Sequence, residues 1–300
     1  MKKRKINIIY HNNGYGLTKD ANLLQSYFPA NYNLIDIREN SNLKKAEINI
    51  FLEVLQPSDG YFEKYKKLAK INILIPNPEW YPRHWVTYLR NFDYIFCKTK
   101  HAEEVFSEHS KNTIFTSFTS ENHFLKTTNK IKAFFHSAGK SEHKGTTELI
   151  EAFTNFVLPL KICKKDVIEH KTINVDTCYY SDSEFKELKN KYLFHIYPTH
   201  YEGFGQNIWE SLSIGAIVLT TNSAPMNEFC ADFNFDANIG VKHGMVNFYI
   251  PEIVSIQEQS KKAFFTDINE LKIISKRNIE KWHNNDLFFK SQLNKILQNV

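Results

Sequence analysis

Two carboxylates and two glycines fall within nine residues in the segment Tyr197–Glu228, YPTHYEGFGQNIWESLSIGAIVLTTNSAPMNE. It carries Glu202-Gly203-Phe204-Gly205, a second acid at Glu210, and Gly215 before an apolar run. A strand is expected to end near Pro198 and a helix to begin at about Gln206. Glycines between them let backbone N–H groups approach a ligand closely, and a helix N-terminus favours an anion. An acid just before such a helix and another on its second turn can each accept hydrogen bonds from sugar hydroxyls. On spacing alone, solvated surface charges are the leading reading of both acids.

Three other segments hold groups suited to a site. Lys5–Tyr10 (KINIIY) runs into His11-Asn12-Asn13-Gly14-Tyr15-Gly16, whose Gly14 and Gly16 are placed to border a cleft, with His11 structural. Asn77-Pro78-Glu79-Trp80-Tyr81-Pro82-Arg83-His84-Trp85 follows an apolar run. Its two prolines and its aromatics predict a rigid loop that can form a sugar or acceptor platform, with Glu79 the obvious polar candidate and His84 second. Aromatic packing beneath a loop is the competing reading. Gly60–Lys70 (GYFEKYKKLAK) sets Lys64, Lys66, Lys67 and Lys70 among aromatic residues. It reads as a solvated helix face or as a surface for anionic lipid headgroups.

These segments must be held by regular elements. Strand, glycine turn and helix open the chain, with a helix from Leu17 to Tyr27. Strands are expected at Asn33–Ile37, Ile48–Val54, Ile71–Ile75, Tyr94–Cys97 and Thr113–Phe118. Helices are expected at Gly60–Lys70 and Lys100–Glu108. After a polar, linker-like stretch at Ser120–Lys130 the rhythm restarts. Ile131–His136 is a strand, Ser137–Lys140 a turn and Thr146–Phe156 a helix. Leu158–Cys163, Thr172–Val175, Phe194–Tyr197 and Ala216–Thr220 are strands. Ser181 and Glu184 form a capping box that opens a helix. A long helix over Asp267–Gln298 closes the chain, with a break allowed for near His283-Asn284-Asn285. Alternation of this kind predicts two successive α/β domains with parallel sheets.

Composition sets the outer bounds. An apolar fraction of 42% and a charged fraction of 24% over 300 residues exclude disordered, collagen-like and coiled-coil classes. Cys97, Cys163, Cys178 and Cys230 form no C-x-x-C pair, so neither a disulfide framework nor a zinc knuckle is expected, in keeping with a reducing cytoplasm. The basic start has too short an apolar run for a signal peptide, and no stretch approaches a transmembrane span. The net charge of +5 lies wholly in residues 1–128, where 18 Lys+Arg meet 13 Asp+Glu; residues 129–300 hold 20 of each.

Glu202-Gly203-Phe204-Gly205-x4-Glu210, followed by a small-residue helix, Gly215 and a Val-bearing strand, resembles the E-x7-E motif of retaining GT-B glycosyltransferases, most closely glycosyltransferase family 4. Upstream, Ala138-Gly139-Lys140-Ser141-Glu142-His143-Lys144-Gly145 resembles that family's G-R…K-G element. Cys178-Tyr179-Tyr180-Ser181 takes the place of the loop that meets the nucleotide base. The resemblance covers residues 131–230 and is weaker before them. It implies two Rossmann-like doubly wound domains facing a central cleft. Residues 1–128 would be the acceptor side and 129–283 the nucleotide-sugar side, with the helix at 284–300 packing back on the first domain.

The family's roles then fall on named residues. Glu202 would bind donor-sugar hydroxyls, and Gly203, Phe204, Gly205 and Gln206 would line the donor site. Glu210 would hold the ribose diol, and Tyr180 would lie at the base. Gly14 and Gly16 would border the donor from the first domain, with Glu79, Trp80 and His84 on the acceptor side. Lys140 and Lys144 would neutralise the departing diphosphate. Lys140 stands where Arg is usual, so a point charge replaces a bidentate grip, and the Lys140–Lys144 spacing is shorter than in common versions.

The function so implied is transfer of a sugar from a nucleotide-diphosphate sugar to a hydroxyl of a glycan or lipid-linked glycan, with retention. No cofactor and no metal are expected, since no D-x-D motif occurs. No nucleic-acid partner is expected. The protein would work in the cytoplasm, with peripheral contact at the inner face of an anionic membrane. A nucleotide-sugar epimerase of the same architecture and a non-catalytic sugar-binding module are the alternatives.

Overall fold

The computed structural model describes residues 4–14, 16–38, 44–53, 55, 60–126, 129–139, 141–154, 156–164, 173–177, 180–230 and 232–299. The chain divides into two units. Residues 1–119, 243–246 and 285–300 form the first, and 120–242 with 247–284 form the second.

In the first unit, β1 (Lys5–Tyr10), β2 (Asn31–Asp36), β3 (Ile48–Leu52), β4 (Ile71–Ile75), β5 (Tyr94–Cys97) and β6 (Thr113–Phe115) form one parallel sheet in the order β2-β1-β3-β4-β5-β6. Helices α1 (Gly16–Tyr27), α2 (Tyr61–Lys66) and α3 (Lys100–Ser107) connect them. Strands covered on both faces read as continuous apolar runs, and INIFL and INILI are such runs. The asparagine inside each run is not a flaw. Asn7 pairs with Asn33 and Asn49 in register, and Asn49 with Asn72. Their amides form a ladder: Asn33 Nδ2 donates to Asn7, Asn7 Nδ2 to Asn49 and Asn49 Nδ2 to Asn72, each at 2.9 Å. A one-residue slip would leave these buried amides unpaired, so the ladder pins the register.

Two strands are shorter than expected. Residues Glu53 and Ser117, inside the expected spans, have φ of 61° and 57° and leave the extended region. Helix α2 spans six residues, and its Phe62 and Tyr65 are fully buried in the core of this unit. The aromatic rings of Gly60–Lys70 therefore serve packing. Lys66 Nζ donates to Asn91 Oδ1 at 2.7 Å. Among the described residues no helix is long and apolar enough to cross a membrane.

In the second unit, β7 (Ile131–Gly139), β8 (Leu160–Lys164), β9 (Asn174–Asp176), β10 (Tyr192–Tyr197), β11 (Ile217–Thr221) and β12 (Phe233–Phe235) form a parallel sheet in the order β12-β11-β10-β7-β8-β9. Helices α4 (Thr146–Thr154), α5 (Asp182–Lys191), α6 (Gln206–Ser213) and α7 (Met226–Phe229) lie between strands. A hairpin of β13 (Ala237–His243) and β14 (Val246–Pro251), whose tip at residues 243–246 is counted with the first unit, then α8 (Ile253–Phe265), follow. Phe134, Phe153, Phe194, Ile196, Ile217 and Leu219 centre the core. The fold is thus α/β, with two parallel, doubly wound six-stranded sheets.

Three expectations need correction or qualification. Strand β7 runs on to Gly139 instead of turning at Ser137, because Ser137 and Gly139 still pair with Cys163 and Lys164. The stretch after Ser120, expected as a linker, has no regular structure in its described residues but is tied down around His123. His123 N donates to Ser213 Oγ at 3.0 Å, and Asn190 Nδ2 donates to His123 O at 2.8 Å. The closing helix, α9 (Ile268–Asn299), has no break at residues 283–285. Its buried positions Trp282, Asp286, Phe289, Leu293 and Leu297 keep helical spacing straight through them.

Candidate functional site

In a doubly wound sheet, ligands bind beyond the C-terminal strand ends where the strand order reverses. In the second unit that point lies between β7 and β10, since β8 and β9 extend to one side and β11 and β12 to the other. The loops that leave β7 and β10 carry the residues singled out from sequence.

The two loops are joined backbone to backbone. After β7, Ser141 caps a 3-10 turn at Glu142–Lys144 by accepting from His143 N, and Gly145 follows at φ 64°. A Cβ on Gly145 would sit 1.8 Å from the Pro198 carbonyl oxygen, so only glycine allows this approach. The contact is reinforced at the His143 carbonyl, which accepts from His200 N at 2.9 Å and Thr199 Oγ1 at 3.0 Å. Beneath it, His136 Nδ1 donates to the Ile196 carbonyl at 2.8 Å, and its Nε2 accepts from Thr146 Oγ1 at 3.0 Å. Burial, with help from the Lys144 charge, pushes His136 down to about 4.

This stitching sets Lys144 Nζ 2.6 Å from Glu202 Oε1. Both are partly covered, with side-chain exposures of 21% and 11%. Behind them, Gly203, Phe204 and Gly205 are buried. Gly205, at φ 73°, is the N-cap of α6, and no side chain caps the helix there. Phe204 stacks on Trp209, with centroids 5.5 Å apart, and anchors the loop to the helix. The arrangement offers a cation, an acid and a helix N-terminus side by side, the set needed to hold a sugar hydroxyl next to a phosphate.

Glu210 lies deeper. Its side chain is 2% exposed and forms an ion pair with Lys189, itself fully buried, and His123 Nδ1 stands 3.7 Å from the same oxygen. Tyr180 donates its hydroxyl to Asp176, and its ring packs against the Phe135, Cys163 and Leu188 cluster. Lys140, Cys178 and Tyr179 lie outside the described residues.

The first unit has its own reversal point, between β1 and β3. Beyond β1, Gly14 has φ 69° and its N–H donates to Thr18 Oγ1 at 3.0 Å. A Cβ at Gly14 or Gly16 would meet only open space, so the loop surface there is clear. Beyond β3 is Glu53, which accepts from Asn77 Nδ2 and lies 3.8 Å from Lys98 Nζ. Lys98 is bound to Asp20 at 2.7 Å. Burial raises Glu53 to about 7 despite the opposing charge of Lys98, with Asp20 adding to the rise. Sequence reading missed this trio because its members are 20 to 98 residues into the chain and meet only when strand tips align.

The Asn77–Trp85 segment, expected as a rigid loop, is built on 3-10 turns at Pro78–Trp80 and Arg83–Asn91. Glu79 is buried, Trp80 is 52% exposed and His84 is exposed. His243 Nδ1 donates to the Glu79 carbonyl at 2.6 Å, and its ring stands edge-on to Trp80. Gly244 fits because a Cβ there would come within 2.5 Å of the Pro78 and Glu79 carbonyl oxygens.

No family model matches the sequence, and no curated protein does. Solved structures do match. The lipopolysaccharide outer core galactosyltransferase WaaB is 13% identical with a TM-score of 0.64, and the match covers 99% of this chain and 100% of WaaB. Anabaena Alr3699/HepE, solved with UDP and glucose, is 10% identical with a TM-score of 0.70, covering 99% and 100%. Sucrose-phosphate synthase from Thermosynechococcus elongatus is 9% identical with a TM-score of 0.70, covering 99% of both chains. Other matched chains are longer, and this chain spans 57%, 55% and 56% of three of them. At such identities the likeness is one of fold, and together with the two sheets it shows that this chain is an α/β protein with the GT-B fold of those glycosyltransferases.

Proposed function

We propose that the chain is a glycosyltransferase that moves a sugar from a nucleotide-diphosphate sugar to a hydroxyl of a glycan or lipid-linked glycan, with retention of configuration and without a metal. The observation that carries this reading is the Lys144–Glu202 pair at the β7/β10 reversal point, 2.6 Å apart and just before the N-terminus of α6. HepE's complex with UDP and glucose supports a nucleotide sugar as the donor class.

In the proposed reaction Glu202 accepts hydrogen bonds from donor-sugar hydroxyls, while Lys144 and the N-terminus of α6 face the diphosphate. As the anomeric carbon–oxygen bond breaks, negative charge builds on the leaving phosphate, where a cation and helix N–H groups stabilise it most. The acceptor hydroxyl attacks from the same face, its proton passing to a phosphate oxygen of the departing diphosphate. The products are the glycosylated acceptor and a nucleoside diphosphate. The charge balance needs no carboxylate nucleophile. Glu202 is already engaged by Lys144, which suits a carboxylate that orients hydroxyls. Lys140 and Tyr180 remain in the proposal as diphosphate and base contacts.

A thermal-shift screen of the full chain against UDP-, GDP- and ADP-sugars tests the donor class. At least one nucleotide sugar should raise the melting temperature by mass action, and Glu202→Ala should abolish the sugar-dependent part of that rise. A flat response to the whole panel would remove the basis for the reading.

A further inference from the structure

The far edge of the second sheet holds a cleft of about 510 Å³ that the proposed reaction does not use. Its main wall is β12, the edge strand, separated from β10 by β11. Side chains alternate between the two faces of an extended strand. Phe233 and Phe235 turn into the core, at 3% and 0% exposure, while Asp232, Asn234 and Asp236 at the alternate positions line the cleft. Asn222 just after β11, Asn227 on α7, and Gln259 with Lys262 on α8 complete the lining.

The polar groups are held from behind. Asp232 is fixed by an ion pair with Arg277. The backbone of Asp236 is pinned twice, since its N–H donates to Ser255 Oγ at 2.9 Å and its carbonyl accepts from Glu252 N at 2.8 Å. Asn222 N donates to the Phe235 carbonyl at 2.7 Å, and Lys262 Nζ stands 5.8 Å from the centroid of the Phe233 ring. Asn234 Nδ2 donates to the Cys230 carbonyl at 3.1 Å, which orients the amide. Its Oδ1 is then buried with no partner among the described residues. A buried acceptor in that state is unfavourable until a donor reaches it.

The chemistry of the lining selects what can bind. Among the described residues, no aromatic ring or aliphatic side chain lines the cleft, which disfavours a nucleobase or a lipid chain. Two carboxylates against one ammonium disfavour a phosphate or another anion, and the ammonium of Lys262 disfavours a bare metal cation. Amides, carboxylates and an ammonium together offer donors and acceptors side by side, and a sugar hydroxyl uses both kinds. We propose that this cleft is a second carbohydrate site, separate from the donor site at β7 and β10, which takes an uncharged oligosaccharide. The site stands on its own geometry and does not rest on the donor reading.

The test screens the full chain against an array of uncharged, sialylated and sulfated oligosaccharides, then titrates the uncharged trisaccharide ranked first by calorimetry. At least one uncharged glycan should bind. Asp236→Ala removes a charge-assisted acceptor and should weaken that binding about tenfold or more, and Asn227→Ala should weaken it severalfold. Both side chains are exposed, so melting temperature and nucleoside diphosphate affinity should stay at wild type in both variants. Wild-type glycan affinity in both variants would overturn the proposal. So would an array on which no uncharged glycan binds, or one on which only sialylated or sulfated glycans do. Displacement of the bound trisaccharide by a nucleoside diphosphate would put it in the donor site and overturn the proposal equally. Calcium binding without any glycan binding, lost in Asp236→Ala and strengthened in Lys262→Ala, would make the cleft a cation site instead.

Discussion

Lys144 Nζ and Glu202 Oε1 are 58 residues apart in sequence and 2.6 Å apart in space. The contact exists because Gly145 lets the loop after β7 lie against the Pro198 carbonyl. A backbone approach open only to glycine therefore places the two charges that the proposed reaction uses.

Lys144→Ala should weaken nucleoside diphosphate binding by about 1–3 kcal/mol, the range for one charge-assisted contact in a partly covered site. Glu202→Ala should leave that affinity nearly intact and lower turnover by orders of magnitude. Titration calorimetry paired with steady-state rates separates the two. Unchanged diphosphate affinity in Lys144→Ala would take that lysine out of the site.

Gly145→Ala should be far worse than Gly60→Ala. Both glycines have positive φ, and each substitution carries the left-handed penalty of roughly 1–2 kcal/mol. A Cβ at Gly60 meets nothing within 4 Å, whereas one at Gly145 overlaps the Pro198 carbonyl. Chemical denaturation should show the excess, and donor binding should fall with it. Equal costs would mean that the loops separate freely.

Acid should loosen the second unit through His136. Its native value of about 4 lies below the ordinary 6.5. Between these values the unfolded chain takes up a proton that the native chain refuses, so stability is full above pH 6.5 and declines as pH falls toward 4. The gap corresponds to roughly 3 kcal/mol at 1.36 kcal/mol per pH unit. Melting temperature measured from pH 7.5 to 4.5 should drop less steeply in His136→Asn than in wild type.

Glu53 should act in the opposite direction. Its native value, raised from 4.5 to about 7, means that the folded chain holds a proton which the unfolded chain has lost. Its contribution is therefore full below pH 4.5 and disappears as pH rises through 7. Glu53→Gln, which stays neutral, should gain on wild type in melting temperature between pH 5 and 8. A constant difference across that range would contradict the raised value.

Much of the scaffold was legible because buried parallel strands write themselves as apolar runs: Ile71–Ile75 and Tyr94–Cys97 match their expected bounds, and the Ser181–Glu184 capping box is present. The motif residues Glu202 to Glu210 stood out because glycines and acids cluster there. Other features depended on distant partners. Lys189 follows Phe185 by one helical turn, a lysine on an apolar face, but only its meeting with Glu210 explains it. The repeated Ile-Asn-Ile of β3 and β4 signals a ladder only once Asn7 and Asn33 lie alongside. The β13–β14 hairpin went unread because its residues mix buried, half-buried and exposed positions without a clean alternation along both strands.

Glycosyl transfer with retention is read out by proton NMR of the anomeric signals when the full chain is incubated with the nucleotide sugar that stabilises it most, with water or a glycan hydroxyl as acceptor. Nucleoside diphosphate should be released, the first-formed product should carry the donor's own anomeric configuration, and both should be lost in Glu202→Ala. A product of opposite configuration would contradict retention. An isomerised nucleotide sugar, or a donor left intact with every acceptor offered, would contradict glycosyl transfer itself.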